Sequence, residues 1–254
     1  MADAVASVRP AAPASFEIAV LPDADSLALA AADEFARSAA DAVSRRGLFH
    51  VALSGGSTPR ALYRRLTKPP HRGAIPWDSV RFFFGDERCV PPGDDRSNYR
   101  MAREALFKPL RIAPRRVFRV RGEDDPARAA REYERLLRAH VPGRPPRLDL
   151  VLLGLGEDGH TASLFPGTPA LTEGKRLAVE NPGPRPGEPR ITLTYRAIDS
   201  ARRVIFLVSG STKAKIAAAV LAKRGRRPDL PAARVAPRRG TLLWLLDEEA
   251  GSRL

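Results

Sequence analysis

Continuous apolar runs, separated by amphipathic stretches, set the rhythm of this chain. Residues 48–53, 80–84, 150–153, 204–208 and 241–246 each read as a strand buried on both faces. Residues 16–21 add a first strand, and 191–195 and 117–120 show strand character. Helix-period stripes lie between them. Leu27, Ala31, Phe35 and Val43 mark a helix that Asp23 or Asp25 can cap and Gly47 ends. Ala129, Tyr133, Leu136, Leu137 and His140 mark another over 126–140, with His140 partly buried at its end. Shorter helices are expected to about Leu66, from Asn98 to about Phe107 after a Ser97 cap, and to about Lys223. Strands alternating with helices predict a single doubly wound α/β domain over 15–254. Its sheet is mostly parallel, with helices on both faces. Residues 1–14, small and Pro-rich, are expected to be a mobile tail.

The polar positions gather where the apolar runs end. After residue 153, Gly154, Gly156 and Gly159 let the backbone turn tightly and deliver Glu157, Asp158 and His160 to the strand's C-terminal end. In open parallel sheets that edge binds ligands. Three other strands end alike, in Ser54-Gly55-Gly56-Ser57-Thr58-Pro59, Gly85-Asp86-Glu87-Arg88 and Ser209-Gly210-Ser211-Thr212-Lys213. In the first of these, Thr58 is a plausible cap and Pro59 suits the first helical position. The free N–H groups of such a turn favour an anion. It is not a Walker A motif, because no Gly-Lys-Ser/Thr follows. Taken alone, the Ser54–Thr58 turn reads equally well as a plain strand–helix connection. Together they offer Arg88, Lys213 and backbone N–H groups for an anion, and Asp86, Glu157, Asp158 and His160 for acid–base chemistry. An imidazole can take up a proton near neutrality. A small phosphorylated substrate fits this inventory, with a fork-shaped contact from Arg88 and a point charge from Lys213.

Composition narrows the field further. The chain has 254 residues, enough for a core without staples, and Cys89 is its single cysteine, so no disulfide forms within it. The formal net charge of +14 favours anionic partners. The basic residues are scattered and aromatic content is 6%, which argues against nucleic acid. No apolar run is long enough for a bilayer, and no secretory signal is apparent. A cytoplasmic monomer without cofactor is the expectation. His50, His71 and His140 lack metal-ligand spacing to His160, so no metal is expected.

The motifs 53–59, Gly85–Arg88 with Ser97-Asn98-Tyr99, and above all the long stretch 154–166, resemble the 6-phosphogluconolactonase family. The Ser209…Lys213 turn, Leu230-Pro231-Ala232 and Trp244-Leu245-Leu246-Asp247 are similar too. The resemblance runs from Phe16 to the end of the chain. It implies the fold shared with glucosamine-6-phosphate deaminase and ribose-5-phosphate isomerase. It also implies hydrolysis of a phosphorylated sugar lactone, 6-phospho-D-glucono-1,5-lactone, in the oxidative pentose phosphate pathway. By that similarity His160 activates water, and Asp158 or Asp86 orients His160 or a hydroxyl. Arg88 and Lys213 hold the phosphate, with Gly55, Gly56, Ser57 and Thr58 beside them. Two rivals remain, an aminosugar-phosphate deaminase on the same fold and a non-catalytic sugar-phosphate sensor. In the deaminase pattern a glutamate stands where this chain has Phe165.

Overall fold

The structure is a computed structural model that describes residues 15–222 and 229–254. The proposed tail therefore lies outside the described residues, as do Lys223 and the arginines at 224, 226 and 227. In chain order the elements begin with β1 (Ser15–Leu21), α1 (Ala24–Arg46), β2 (Phe49–Leu53), α2 (Ser57–Leu66) and α3 (His71–Ala74). Next come β3 (Val80–Phe84), β4 (Asp86–Arg88), α4 (Asn98–Ala102), α5 (Pro126–His140) and β5 (Leu150–Leu153). The chain continues with β6 (Ala178–Asn181), β7 (Arg190–Leu193), α6 (Tyr195–Ile198) and β8 (Arg203–Val208). It closes with α7 (Ala214–Ala222), β9 (Thr241–Asp247) and α8 (Glu248–Gly251).

Six strands form a parallel sheet in the order β1-β9-β8-β5-β2-β3. Helices pack around it, which makes the α/β class expected from the alternating pattern. The apolar runs are buried because both faces of the sheet are covered: β2 and β5 have no exposed residue. Inside, Phe206 and Trp244 stack with ring centroids 3.9 Å apart across β8 and β9. At the amino edge, buried Asp149 accepts from the His50 N–H (2.8 Å) and faces Arg46 and Arg202. From β2 the chain moves outward to β3, whereas from β5 it moves the opposite way to β8. The reversal therefore falls between β2 and β5, and the crevice of a doubly wound sheet opens at their carboxyl ends.

A second sheet, antiparallel in the order β4-β7-β6, sits beyond that edge. Gly85 is the pivot between the two. Its N–H donates to Leu53 O of the parallel sheet (2.8 Å), and its carbonyl accepts from Leu193 N of β7 (2.8 Å). Asp86–Arg88, expected as a loop, is thus a strand, and β6 lies inside the supposed excursion 167–189. The segment 117–120 is no strand; Val117 makes one isolated bridge to Phe82. Asp23 is the acid that caps α1, accepting from Ser26 N at 2.7 Å. The helix from Asn98 changes to a π turn at Arg103–Phe107. His140 is exposed rather than partly buried, and its ring lies 4.3 Å from that of Phe118.

Two buried tyrosines fix the strand tips. Tyr63 of α2 donates its hydroxyl to Ser54 O (2.8 Å) and accepts from Ser54 N (3.0 Å). Tyr133 of α5 does the same to Phe84 at the end of β3, with both contacts at 2.7 Å. Burial pushes both phenols well above their ordinary range, so each stays protonated and able to donate. β3 is an edge strand, and without Tyr133 the outward N–H and C=O of Phe84 would be buried without partners. Tyr133→Phe should therefore cost about 1–3 kcal/mol although the ring still fills its place. Denaturant unfolding of the variant beside the parent checks this; equal midpoints would show that the hydroxyl carries no weight.

Candidate active site

The four polar strand ends meet at the carboxyl edge and are knitted to one another. Between β2 and β5, a Cβ built on Gly154 would lie 4.0 Å from Ser54 Oγ. Gly55 lies so close to Asn98 that a Cβ there would fall 1.9 Å from its Oδ1; only a glycine fits. Thr58 Oγ1 and Ser209 Oγ are 3.1 Å apart, which joins the two Ser-Gly turns. Asp86 Oδ2 accepts from Ser163 Oγ at 2.6 Å, joining β4 to the turn after His160. Lys213 reaches Glu157 at 3.5 Å. Contacts that span up to 151 residues thus converge on one edge.

His160 is held from its own turn. Asp158 Oδ1 accepts from the His160 backbone N–H (3.1 Å) and lies 2.5 Å from its Nδ1. Gly156 N donates to His160 O (2.9 Å), and Gly159 takes a left-handed φ of 82°. The ring lies where a side chain at 156 would begin: a Cβ there would sit 2.0 Å from Nδ1. Phe165 covers another side, with ring centroids 4.6 Å apart. Partial burial disfavours the Asp158 carboxylate, but the hydrogen bonds and charge of His160 outweigh it, and the carboxyl sits below its ordinary range. An ionised Asp158 can accept a hydrogen bond from Nδ1 and so fix the orientation of the ring.

Asp86 makes no hydrogen bond to His160. Besides Ser163, it receives Asn98 Nδ2 at 3.2 Å, so it holds a hydroxyl and an amide. Its neighbour Glu87, absent from the expected site, organises the β4–α4 connection. The Glu87 carboxylate accepts from Arg88 N, Asn98 N, Tyr99 N and Ser97 Oγ at 2.7–3.0 Å. Burial pushes its carboxyl up, against the pull of those donors. It also places an acid at the start of α4. Arg88 donates an Nη1 hydrogen bond to Arg96 O, while its buried Nε has no partner among the described residues.

The two Ser-Gly turns, alike in sequence, differ in what fills them. Gly210 N donates to both Asp247 oxygens at 3.0 Å, and Ser211 N to Glu249 Oε2 at 3.0 Å. Internal carboxylates therefore occupy that turn. Among the described residues the start of α2 has no such occupant: Gly56 is the N-cap and no side chain caps it. Thr58, expected as the cap, is the second helical residue and shares a hydrogen bond with the Ser209 hydroxyl, and Pro59, expected first, is the third, because the helix already begins at Ser57. Among the described residues no group of three or more His, Cys, Asp or Glu could hold a metal ion. None of the described helices is long and apolar enough to cross a membrane.

Residues 22–244 match the family described as glucosamine-6-phosphate isomerases/6-phosphogluconolactonase. A 6-phosphogluconolactonase of Synechocystis sp. is 42% identical over 217 residues, covering 84% of this chain and 88% of the relative. The solved 6-phosphogluconolactonase of Trypanosoma brucei superposes with a TM-score of 0.81 at 33% identity, over 94% of this chain and 98% of that one. A monomeric glucosamine-6-phosphate deaminase shares the fold, with a TM-score of 0.78 at 22% identity over 94% of this chain and 100% of that one. From the matched motifs to the superposed sheet, this chain belongs to the glucosamine-6-phosphate isomerase/6-phosphogluconolactonase family.

Proposed function

We propose that this chain hydrolyses 6-phospho-D-glucono-1,5-lactone to 6-phosphogluconate in the crevice between β2 and β5. The observation that carries the reading is the Asp158–His160 pair in its glycine turn, with Phe165 rather than a proton-relaying acid behind it. Asp158 holds Nδ1–H, and Nε2 takes a proton from water as its oxygen bonds to the lactone carbonyl carbon. The carbonyl oxygen carries the developing negative charge, which backbone N–H groups of the edge stabilise. Collapse breaks the bond from that carbon to the ring oxygen, and the imidazolium returns its proton to that oxygen. Water is thus divided between the new carboxyl and the freed hydroxyl. Asp86 acts at one remove, by fixing Ser163 and Asn98 beside the crevice.

The phosphate falls to Arg88, Lys213 and the start of α2. Arg88 has a buried donor to spare. The Lys213–Glu157 pair is long and its acid exposed, so it is a weak contact that a phosphate dianion can replace. The Gly55-Gly56-Ser57-Thr58 turn offers N–H groups at a helix start that no side chain among the described residues caps.

Hydrolysis needs no relay through position 165, whereas the aminosugar reaction of the rival pattern does, and a phenyl ring carries no proton. The protein should accelerate decay of 6-phosphogluconolactone above its spontaneous rate and release no ammonia from glucosamine 6-phosphate. Parallel phosphogluconate-coupled and ammonia readouts decide between them. Ammonia at enzymatic rates with the lactone decaying only spontaneously would overturn the assignment.

His160→Ala should lower kcat by ~10²–10⁴-fold while thermal unfolding stays near the parent. Asp158→Asn should also lower kcat strongly, because an amide can favour the wrong tautomer. The Asp158 carboxyl is held low, so its ionised contribution is complete at neutrality and fades only as pH falls through that lowered value. Raising the pH from neutrality should therefore not rescue Asp158→Asn. Full activity in either variant would remove the pair from the chemistry.

Arg88→Ala and Lys213→Ala should weaken the transition-state contact by roughly 1.5–3 kcal/mol each in kcat/KM. The same variants compared on a lactone without phosphate should show little difference from the parent. An equal loss on both lactones would make these residues structural.

A further inference from the structure

The Gly156–His160 turn is also held from outside. Gly159 O accepts from Ala232 N at 2.9 Å. Ala232 belongs to a short 3₁₀ turn, Pro231–Arg234. Leu230, just before it, backs the same glycine: a Cβ on Gly159 would fall 2.8 Å from Leu230 Cδ2. The 3₁₀ turn is anchored in its own right by α6 and the residue after it. Tyr195 donates its hydroxyl to Pro231 O (2.9 Å), and Asp199 Oδ1 accepts from Ala236 N (2.8 Å). The Arg234 guanidinium lies over the Tyr195 ring, 4.5 Å from its centroid. Burial pushes the Tyr195 phenol well above its ordinary range, so it stays protonated and able to donate.

These contacts form one line. The Pro231 carbonyl and the Ala232 N–H are opposite edges of a single planar peptide, and so are the Gly159 carbonyl and the His160 N–H. The Tyr195 hydroxyl donates into the first peptide, the first donates into the second, and the second donates to Asp158 Oδ1 at 3.1 Å. Asp158 Oδ1 is also the atom that meets His160 Nδ1. Every bond in the line points the same way, so each polarises the next. A tilt of the Gly159–His160 peptide would swing the N–H that holds Asp158 and carry the carboxylate off the imidazole. Gly159, at φ 82°, gives that peptide freedom to tilt. The Ala232 N–H fixes it from the carbonyl side.

We propose that Tyr195 is a positioning residue for the Asp158–His160 pair, acting through the Pro231–Ala232 and Gly159–His160 peptides. Its hydroxyl bonds to neither side chain of the pair; it sets the peptide that sets the carboxylate. The proposal rests on the reading of His160 as the base. Its effect belongs in kcat, because the orientation of the base matters when water is deprotonated and little when the phosphate is held.

Tyr195→Phe keeps the ring and its contact with Arg234 and removes only the hydroxyl. It should lower kcat on the phosphorylated lactone about three- to tenfold, the weight of one neutral hydrogen bond, with KM within about twofold of the parent. In amide NMR, with the signals assigned in each protein, the Ala232 and His160 N–H protons should move upfield as their hydrogen bonds weaken. Tyr133→Phe is the control. It too loses a buried hydroxyl from a backbone carbonyl, and it should lower stability while leaving kcat and both signals at parent values. Thermal unfolding shows that each variant is folded at the assay temperature. Unmoved Ala232 and His160 signals in Tyr195→Phe would overturn the proposal. So would a parental kcat in Tyr195→Phe, or an equal fall of kcat in Tyr133→Phe, which would assign the loss to stability. Failure of the base itself looks different: His160→Ala would keep full activity, and the proposal would fall with it.

Discussion

The reversal of chain direction between β2 and β5 is the constraint on which the rest depends. Connections of one hand that leave neighbouring strands in opposite directions pass on opposite faces of the sheet, so neither closes the gap between them. Whatever fills that gap must come from loops rather than from the sheet itself. Here the β2 turn contributes a bare helix start and the β5 turn contributes His160. The hydrogen-bonded strands beneath hold the two turns side by side, with Val51 opposite Leu150.

Charge is distributed at this edge according to burial. Glu87 and Asp247 are buried acids that spend their oxygens on backbone N–H groups and so shape loops. Asp158 is only partly enclosed and spends its oxygen on an imidazole. Glu157 stays in the open against Lys213. Four acids near one crevice thus do different work, and the number of donors each meets separates them. A carboxylate already saturated by backbone groups is a poor partner for substrate, whereas a lysine loosely paired in water can exchange its partner cheaply.

Much of this was legible in the sequence where the signal is local. Buried strands announce themselves as apolar runs, and the Asp158–His160 contact spans two residues within one glycine turn. The small antiparallel sheet was hidden because Asp86-Glu87-Arg88 is charged throughout; its inward residues face hydrogen-bond donors instead of a core. The Asp86–Ser163 bond joins residues 77 apart, and no spacing rule reaches that far. The two Ser-Gly turns show the limit most plainly. Similar in residue type, they differ because Asp247 and Glu249, more than thirty residues later, fold back onto one of them. The π turn after Ala102 left no mark either, since the Arg103–Phe107 sequence suits an α-helix equally well.

The paired contacts from Tyr63 and Tyr133 have a consequence for how such a crevice can change over generations. Each phenol grips the backbone N–H and C=O of a single residue at the root of a loop and makes no hydrogen bond to the residues beyond it. Substitution, lengthening or shortening at the tip leaves the anchor and its hydrogen bonds intact. Stability and chemistry are thereby assigned to different atoms of the same loop. A scaffold built in this way can try new reactions at its rim while risking little of its fold.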